Sequence, residues 1–202
     1  VRRINDRPDG REKDFQLDYH LGRNDAPEFD AGQPERIGLA RWLLGTTLRG
    51  RLPAGTRTIV ELGCGAGDIS GLYSRGADIV YGYDVVPVAK DICARRWPGM
   101  NFILGPVEDQ EPRDCDILIA CEFLEHVANP HGILDDWMPR AKYAIIGHPL
   151  DDQDGMEYGH CWSYTEQDWD DWYTSRGFEV IEKFIFPMGN WDRMILGVGK
   201  KI

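Results

Sequence analysis

Two groups of residues in this chain have the types and spacing to do chemistry. The first is Ile59-Val60-Glu61-Leu62-Gly63-Cys64-Gly65-Ala66-Gly67-Asp68, an apolar run that meets an acid and then glycines at alternate positions. Glycine at a tight turn permits positive φ and lets a ligand lie against bare backbone. A helix beginning beyond the turn presents unpaired N–H groups to polar ligand atoms. Reading from Gly65-x-Gly67, Ser70 stands where a dinucleotide fingerprint needs its third glycine, and no Gly-Lys-Ser/Thr follows to make a triphosphate loop. The second group is Glu122, Glu125 and His126, at i, i+3 and i+4. On a helix these three share one face. Two carboxylates and an imidazole suit magnesium, manganese or zinc, and His160 is available as a fourth ligand. His126 and His160 are also candidate general bases. The same groups can cap a helix or bond a neighbouring loop with no metal at all.

Elements that would position these residues can be read from apolar periodicity. Residues from Pro34 repeat Ile37, Leu39-Ala40, Trp42-Leu43-Leu44 and Leu48 at helical spacing, with Gly50 and Pro53 beyond the end. A strand over 58–62 leads into the glycine turn, and a helix is expected from Asp68 to about Ser74. A second strand, 78–83, ends on Asp84, and Pro87 starts the next helix, which breaks near Pro98-Gly99. Strands follow at 101–104, 115–121 and 142–147, with a short helix opening at Pro130. An amphipathic helix from Thr165 to Ser175 precedes two closing strands at 178–186 and 191–198. Alternation of strand and helix implies a parallel sheet with right-handed crossovers, and the closing hairpin must add an antiparallel strand. In such a sheet, ligands bind beyond the carboxyl ends of the strands. Asp84 ends the second strand, Val107-Glu108 follow the third, and Cys121 ends the fourth.

The glycine stretch resembles the first motif of class I S-adenosylmethionine methyltransferases, an acidic residue followed by Gly-x-Gly-x-Gly after strand one. The resemblance runs from about Gln33 to Phe186. It implies an α/β, Rossmann-like, seven-stranded, mostly parallel sheet with a C-terminal antiparallel hairpin and helices on both faces. It also implies S-adenosylmethionine as cofactor, bound through Glu61, Gly63, Cys64, Gly65 and Gly67 at the methionine end, and through Asp84 and Val85 at the ribose. Val107 and Glu108 would take the adenine, and Cys121 would lie beside the sulfonium. Three further stretches look similar to ubiquinone-pathway O-methyltransferases: Pro34-Glu35-Arg36-Ile37-Gly38, Val107-Glu108-Asp109, and Cys121-Glu122-Phe123-Leu124-Glu125-His126-Val127 with Asn129-Pro130. The first implies that Arg36 reaches the cofactor. Trp137-Met138-Pro139-Arg140 departs from the family's leucine-lysine-proline-glycine-glycine turn. Glu122, Glu125, His126 and His160 also resemble the metal ligands of small-RNA 2′-O-methyltransferases, which implies Mg2+ or Mn2+ there.

Length and charge narrow the partners. A chain of 202 residues fits one domain over 33–202, preceded by a loosely ordered arm over 1–32. The formal charge of −11 opposes broad binding to phosphate backbones. Asp151, Asp152, Asp154, Glu157, Glu166, Asp168, Asp170 and Asp171 follow one another with no Lys or Arg among them, which makes nucleic acid an awkward substrate. Five cysteines without a C-x-x-C pair fit a reduced, cytoplasmic compartment. Neither a membrane span nor a signal-like leader is expected. Trp169, Trp172 and Tyr173 form a core-facing stripe, leaving Trp162 and Tyr164 to line a pocket, and His148 reads as a structural loop residue. The leading expectation is methyl transfer to a hydroxyl of a small molecule such as a catechol or other polyol. The alternatives are 2′-O-methylation of an RNA 3′ end, and a non-catalytic domain that keeps the fold for assembly.

Overall fold

The computed structural model describes residues 2–3, 34–55, 57–76, 78–151, 160–188 and 191–202. Strand β1 (Arg2–Arg3) pairs antiparallel with β7 (Trp162–Ser163). The rest of the 1–32 arm, and the Asp152–Gly159 stretch of the acidic loop, lie outside the described residues.

Seven strands make the main sheet. They are β2 (Thr58–Leu62), β3 (Ile79–Asp84), β4 (Asn101–Leu104), β5 (Cys115–Cys121), β6 (Ala141–Pro149), β8 (Phe178–Met188) and β9 (Trp191–Lys201), in spatial order β4-β3-β2-β5-β6-β9-β8. β2 through β6 run parallel, while β9 lies antiparallel between β6 and β8. The central strands are apolar at consecutive positions because both faces are covered. One face carries α1 (Pro34–Gly50) and α2 (Pro87–Arg96): Leu43, Leu44 and Cys93 pack with Ile59, Ile117, Ile119 and Cys121. The other carries α3 (Pro130–Trp137) and α4 (Glu166–Thr174): Trp137, Trp169 and Trp172 pack with Val60, Leu62, Leu118 and Ala120. The alternation along β2 and β5 is the period of two that a strand imposes.

The helix expected over 68–74, and the helical case considered for Glu122–His126, are not regular helices. Residues 65–70 form successive turns and Gly71–Arg75 a 3-10 segment. Gly67, Gly71 and Gly76 interrupt the run at intervals too short for an α-helix to propagate. Gly71 is needed for another reason: a Cβ there would meet the Trp97 ring at 2.4 Å. After β5, only Leu124–His126 makes a 3-10 turn, and Glu122 stands outside it with φ of 55°.

α4 behaves as the pattern predicts. Thr165 accepts from the Asp168 N–H at 3.2 Å while the Asp168 carboxylate takes the Thr165 N–H at 2.8 Å, a reciprocal cap. Trp169, Trp172 and Tyr173 are fully buried. His148 is structural as expected, but it sits in β6 rather than in a loop. Its ring packs edge-on against Tyr164 and Trp172, and burial pushes its pKa down to about 4. Tyr164 is also core: it is wholly buried and donates to the Leu124 carbonyl at 3.0 Å, so it does not line a pocket.

Candidate functional site

The carboxyl ends of β2, β3, β4 and β5 open into one cleft, lined by Gly63, Tyr83, Asp84, Val85, Gly105, Pro106, Val107, Glu108, Glu122, Phe123, His126, Val127 and Ala128. The structure therefore brings together Gly63, Asp84, Val85, Val107 and Glu108 with Glu122 and His126 from the second group. Asp84 anchors the glycine turn. One carboxylate oxygen accepts the Gly65 N–H at 2.8 Å and the other the Val86 N–H at 2.9 Å. Burial raises its pKa, and these backbone N–H groups pull against that rise.

The glycines do different jobs. Gly63 and Gly65 have φ of 66° and 50°, and nothing lies within 4 Å of where a Gly65 Cβ would point. Gly65 is thus a bare stretch of backbone with room above it. Gly63 is covered instead by Phe123, whose Cδ2 lies 2.6 Å from the position of a Gly63 Cβ. Gly67, at φ 79°, faces Met100, Trp97 and Cys93, so its missing side chain makes room for α2 and the turn that follows it, and not for a ligand.

Four further expected cofactor residues sit behind the cleft wall, on the α1 side of the sheet. Glu61 is buried beneath the turn, where its Oε2 accepts the Ser70 N–H at 3.1 Å and the Ser70 hydroxyl. Burial pushes its pKa up to about 7, against the pull of those two bonds and of Arg36. Glu61 holds the turn in shape from below. The Cys64 thiol points toward Gly82, whose Cβ would lie 2.7 Å from it, and the Cys64 N–H is taken by the Tyr83 carbonyl at 3.0 Å. Cys121 follows strand alternation into the core beneath α1, so its thiol does not reach the cleft. Arg36 donates to the Cys121 carbonyl across 3.5 Å.

The proposed metal group is revised in the same way. Ligand atoms of Glu125, His126 and His160 all lie within 4.8 Å of one another, and Glu122 is not among them. The left-handed backbone at Glu122 breaks the helical register that would have put it on their face. Glu125 and His160 are buried, and the His126 and His160 rings meet edge to face at 4.6 Å. Three bonds dock the 160–164 segment onto the 3-10 turn. The Cys161 N–H donates to the Glu125 carbonyl at 2.7 Å, Trp162 Nε1 to Val127 at 2.8 Å, and the Tyr164 hydroxyl to Leu124. Trp162 is thereby a clamp rather than a cleft residue. Phe123, Tyr83, Pro106 and Ala128 are cleft residues that motif reading passed over. Phe123 stood inside the quoted Cys121–Val127 stretch, but no spacing rule marks an aromatic that packs on a glycine.

The methyltransferase domain family matches residues 39–183. The chain belongs to that family. No curated protein matches it in sequence. Among solved structures it is similar to the magnesium protoporphyrin IX methyltransferase of Synechocystis PCC 6803, with a TM-score of 0.73 at 15% identity over 95% of this chain and 100% of that one. It is also similar to the N-methyltransferase NodS of Bradyrhizobium japonicum WM9, with a TM-score of 0.70 at 16% identity, covering 93% and 97%. A Haloferax volcanii protein solved with the Trm112 methyltransferase activator gives 0.66 at 16%, covering 99% and 98%. At these identities the likeness concerns the fold, and this methyltransferase's acceptor must be argued from its own site.

Proposed function

We propose that this methyltransferase uses S-adenosylmethionine and transfers its methyl group to a hydroxyl of a small molecule. The observation that carries the cofactor reading is Asp84, which lines the cleft and bonds the open backbone of the glycine turn at Gly65 beside it. A carboxylate has about four acceptor positions, so Asp84 can hold the turn and still accept two ribose hydroxyls. Val107 offers an apolar wall for adenine beside Glu108. Structures of the Synechocystis magnesium protoporphyrin IX methyltransferase and of NodS contain the demethylated cofactor, which supports the same ligand here. The bound cofactor supplies an electrophilic methyl group on a sulfonium sulfur.

The hydroxyl reading rests on His126, which lines the cleft and also belongs with Glu125 and His160. Two imidazoles and a carboxylate would suit a divalent ion, which would lower the pKa of an oxygen bound to it. Without an ion, His126 is the base that faces the cleft. That cluster is also what favours RNA 2′-O-methylation as a second reading. Titration calorimetry with S-adenosylmethionine and its demethylated product tests the cofactor. Manganese titration of EDTA-treated protein tests the ion: no heat above dilution, with turnover of a hydroxyl acceptor unaffected by EDTA, removes the metal from the scheme.

A further inference from the structure

We infer that Glu122 is the residue by which the cleft tells a cationic sulfonium ligand from its neutral thioether product. The inference rests on the cofactor reading above and adds a charge-selective role at the end of β5. Among the described residues that line the cleft, three are carboxylates, Asp84, Glu108 and Glu122, and none is lysine or arginine. Asp84 gives one acceptor position on each oxygen to its own turn and the remaining ones to the ribose, and Glu108 is exposed on the 3-10 turn after β4. Glu122 is half-buried, with its Oε1 shielded from solvent, and lines the same cleft as Gly63, the glycine that Phe123 covers.

The backbone at Glu122 carries the argument further. A φ of 55° is uncommon for a side chain other than glycine, asparagine or aspartate. It persists only when the surroundings enforce it, and such residues gather at functional sites. Here the Glu122 N–H is held by the Gly147 carbonyl at 2.9 Å, which extends the β5–β6 ladder one residue past β5 and pins the turn. The left-handed turn takes the Glu122 carboxylate off the face shared by Glu125, His126 and His160 and places it on the cleft wall. A carboxylate there attracts a sulfonium and is indifferent to the thioether left after transfer. Release of product is thereby favoured over release of substrate.

Calorimetry on the intact chain, with EDTA present to keep the neighbouring cluster out of the readout, tests this directly. Glu122→Gln should weaken S-adenosylmethionine about tenfold, toward the low end of what one charge pair contributes between bulk water and a protein surface, while S-adenosylhomocysteine changes less than twofold. Sinefungin, which carries an ammonium near the sulfonium position, should follow S-adenosylmethionine. Glu122→Asn should lose the same discrimination yet melt roughly 2–4 °C higher, because asparagine tolerates the left-handed backbone. Equal loss for both ligands, or an unchanged ratio, overturns the inference and leaves the cofactor reading standing. A lower melting temperature in Glu122→Asn would make Glu122 a structural residue and overturn it as well. If the unsubstituted chain binds none of the three ligands, the cofactor reading fails and this inference fails with it.

Discussion

Asp84 carries two loads, since it shapes the glycine turn through Gly65 and Val86 and presents the same carboxylate to the cleft. Asp84→Ala should weaken S-adenosylmethionine by roughly 1.5–3 kcal/mol, the scale of losing a charged hydrogen-bond partner; unchanged affinity by calorimetry in a folded variant would remove Asp84 from the site. Gly65→Val should be worse, because it puts a β-branched residue at φ 50° and fills the space above the turn. Two buried titratable groups set opposing pH slopes. Glu61 has its pKa raised to about 7, so its stabilising contribution is full below the ordinary 4.5 and is lost as pH rises through 7. His148 has its pKa lowered to about 4 from the ordinary 6.5, so its contribution is full above 6.5 and is lost as pH falls through 4. Each is worth about 3 kcal/mol at most. Glu61→Gln keeps an acceptor for Ser70 and deletes the first slope. Urea denaturation should then show stability rising from pH 4 to 6.5 more steeply than in the parent chain. An identical pH profile would mean Glu61 does not titrate in this range.

At the scale of elements, α4 is seated on the sheet by small residues in β9. A Cβ on Gly199 would meet Tyr173 Cδ1 at 2.2 Å, and one on Gly197 would meet the Glu182 carbonyl at 2.3 Å and Trp169 at 2.8 Å. In return the Tyr173 hydroxyl accepts the Ile146 N–H at 3.1 Å and lies 3.1 Å and 3.2 Å from the carbonyls of Ala144 and Gly197. Tyr173→Phe should cost about 1–3 kcal/mol by leaving a buried N–H unsatisfied, and Gly199→Val a comparable amount by overpacking. Chemical denaturation reads both, and a loss below 0.5 kcal/mol for Tyr173→Phe, within the range of an ordinary surface change, would mean another group takes over that N–H. The aromatic stripe of α4 was plain in the sequence because three large residues at helical spacing leave little else to read. Its glycine counterpart in β9 was not, because a strand glycine has no partner until the strand order is known. The same limit produced the helix expected at Asp68–Ser74. The glycines there answer to Trp97, which comes from a different element.

Taken whole, the molecule pairs part of its acidic rim internally, which softens the case against polyanions drawn from charge alone. Lys183 bonds Glu166 at 2.7 Å and Asp170 at 3.0 Å, and Arg193 pairs with Asp151 at 2.5 Å. Among the described residues no helix is long and apolar enough to cross a membrane. If Glu125, His126 and His160 hold an ion, manganese should raise the melting temperature of EDTA-treated protein by linkage, and His160→Ala should abolish the rise; a rise that survives in His160→Ala would place the ion elsewhere. The family, the α/β class, the order of the strands along the chain and the residues at the strand ends were determined by sequence alone. Local patterns suffice there: two-residue and 3.6-residue periods, glycines at a turn, and an acid at a strand terminus. Which side of the sheet each of those residues faces was decided only in three dimensions. Cys64 and Cys121 turned inward, Gly67 packed on a helix, Glu61 went beneath the turn, and Glu122 left its neighbours for the cleft. A one-residue change in backbone direction reverses where a side chain points, and that direction is set by contacts between segments far apart in the chain.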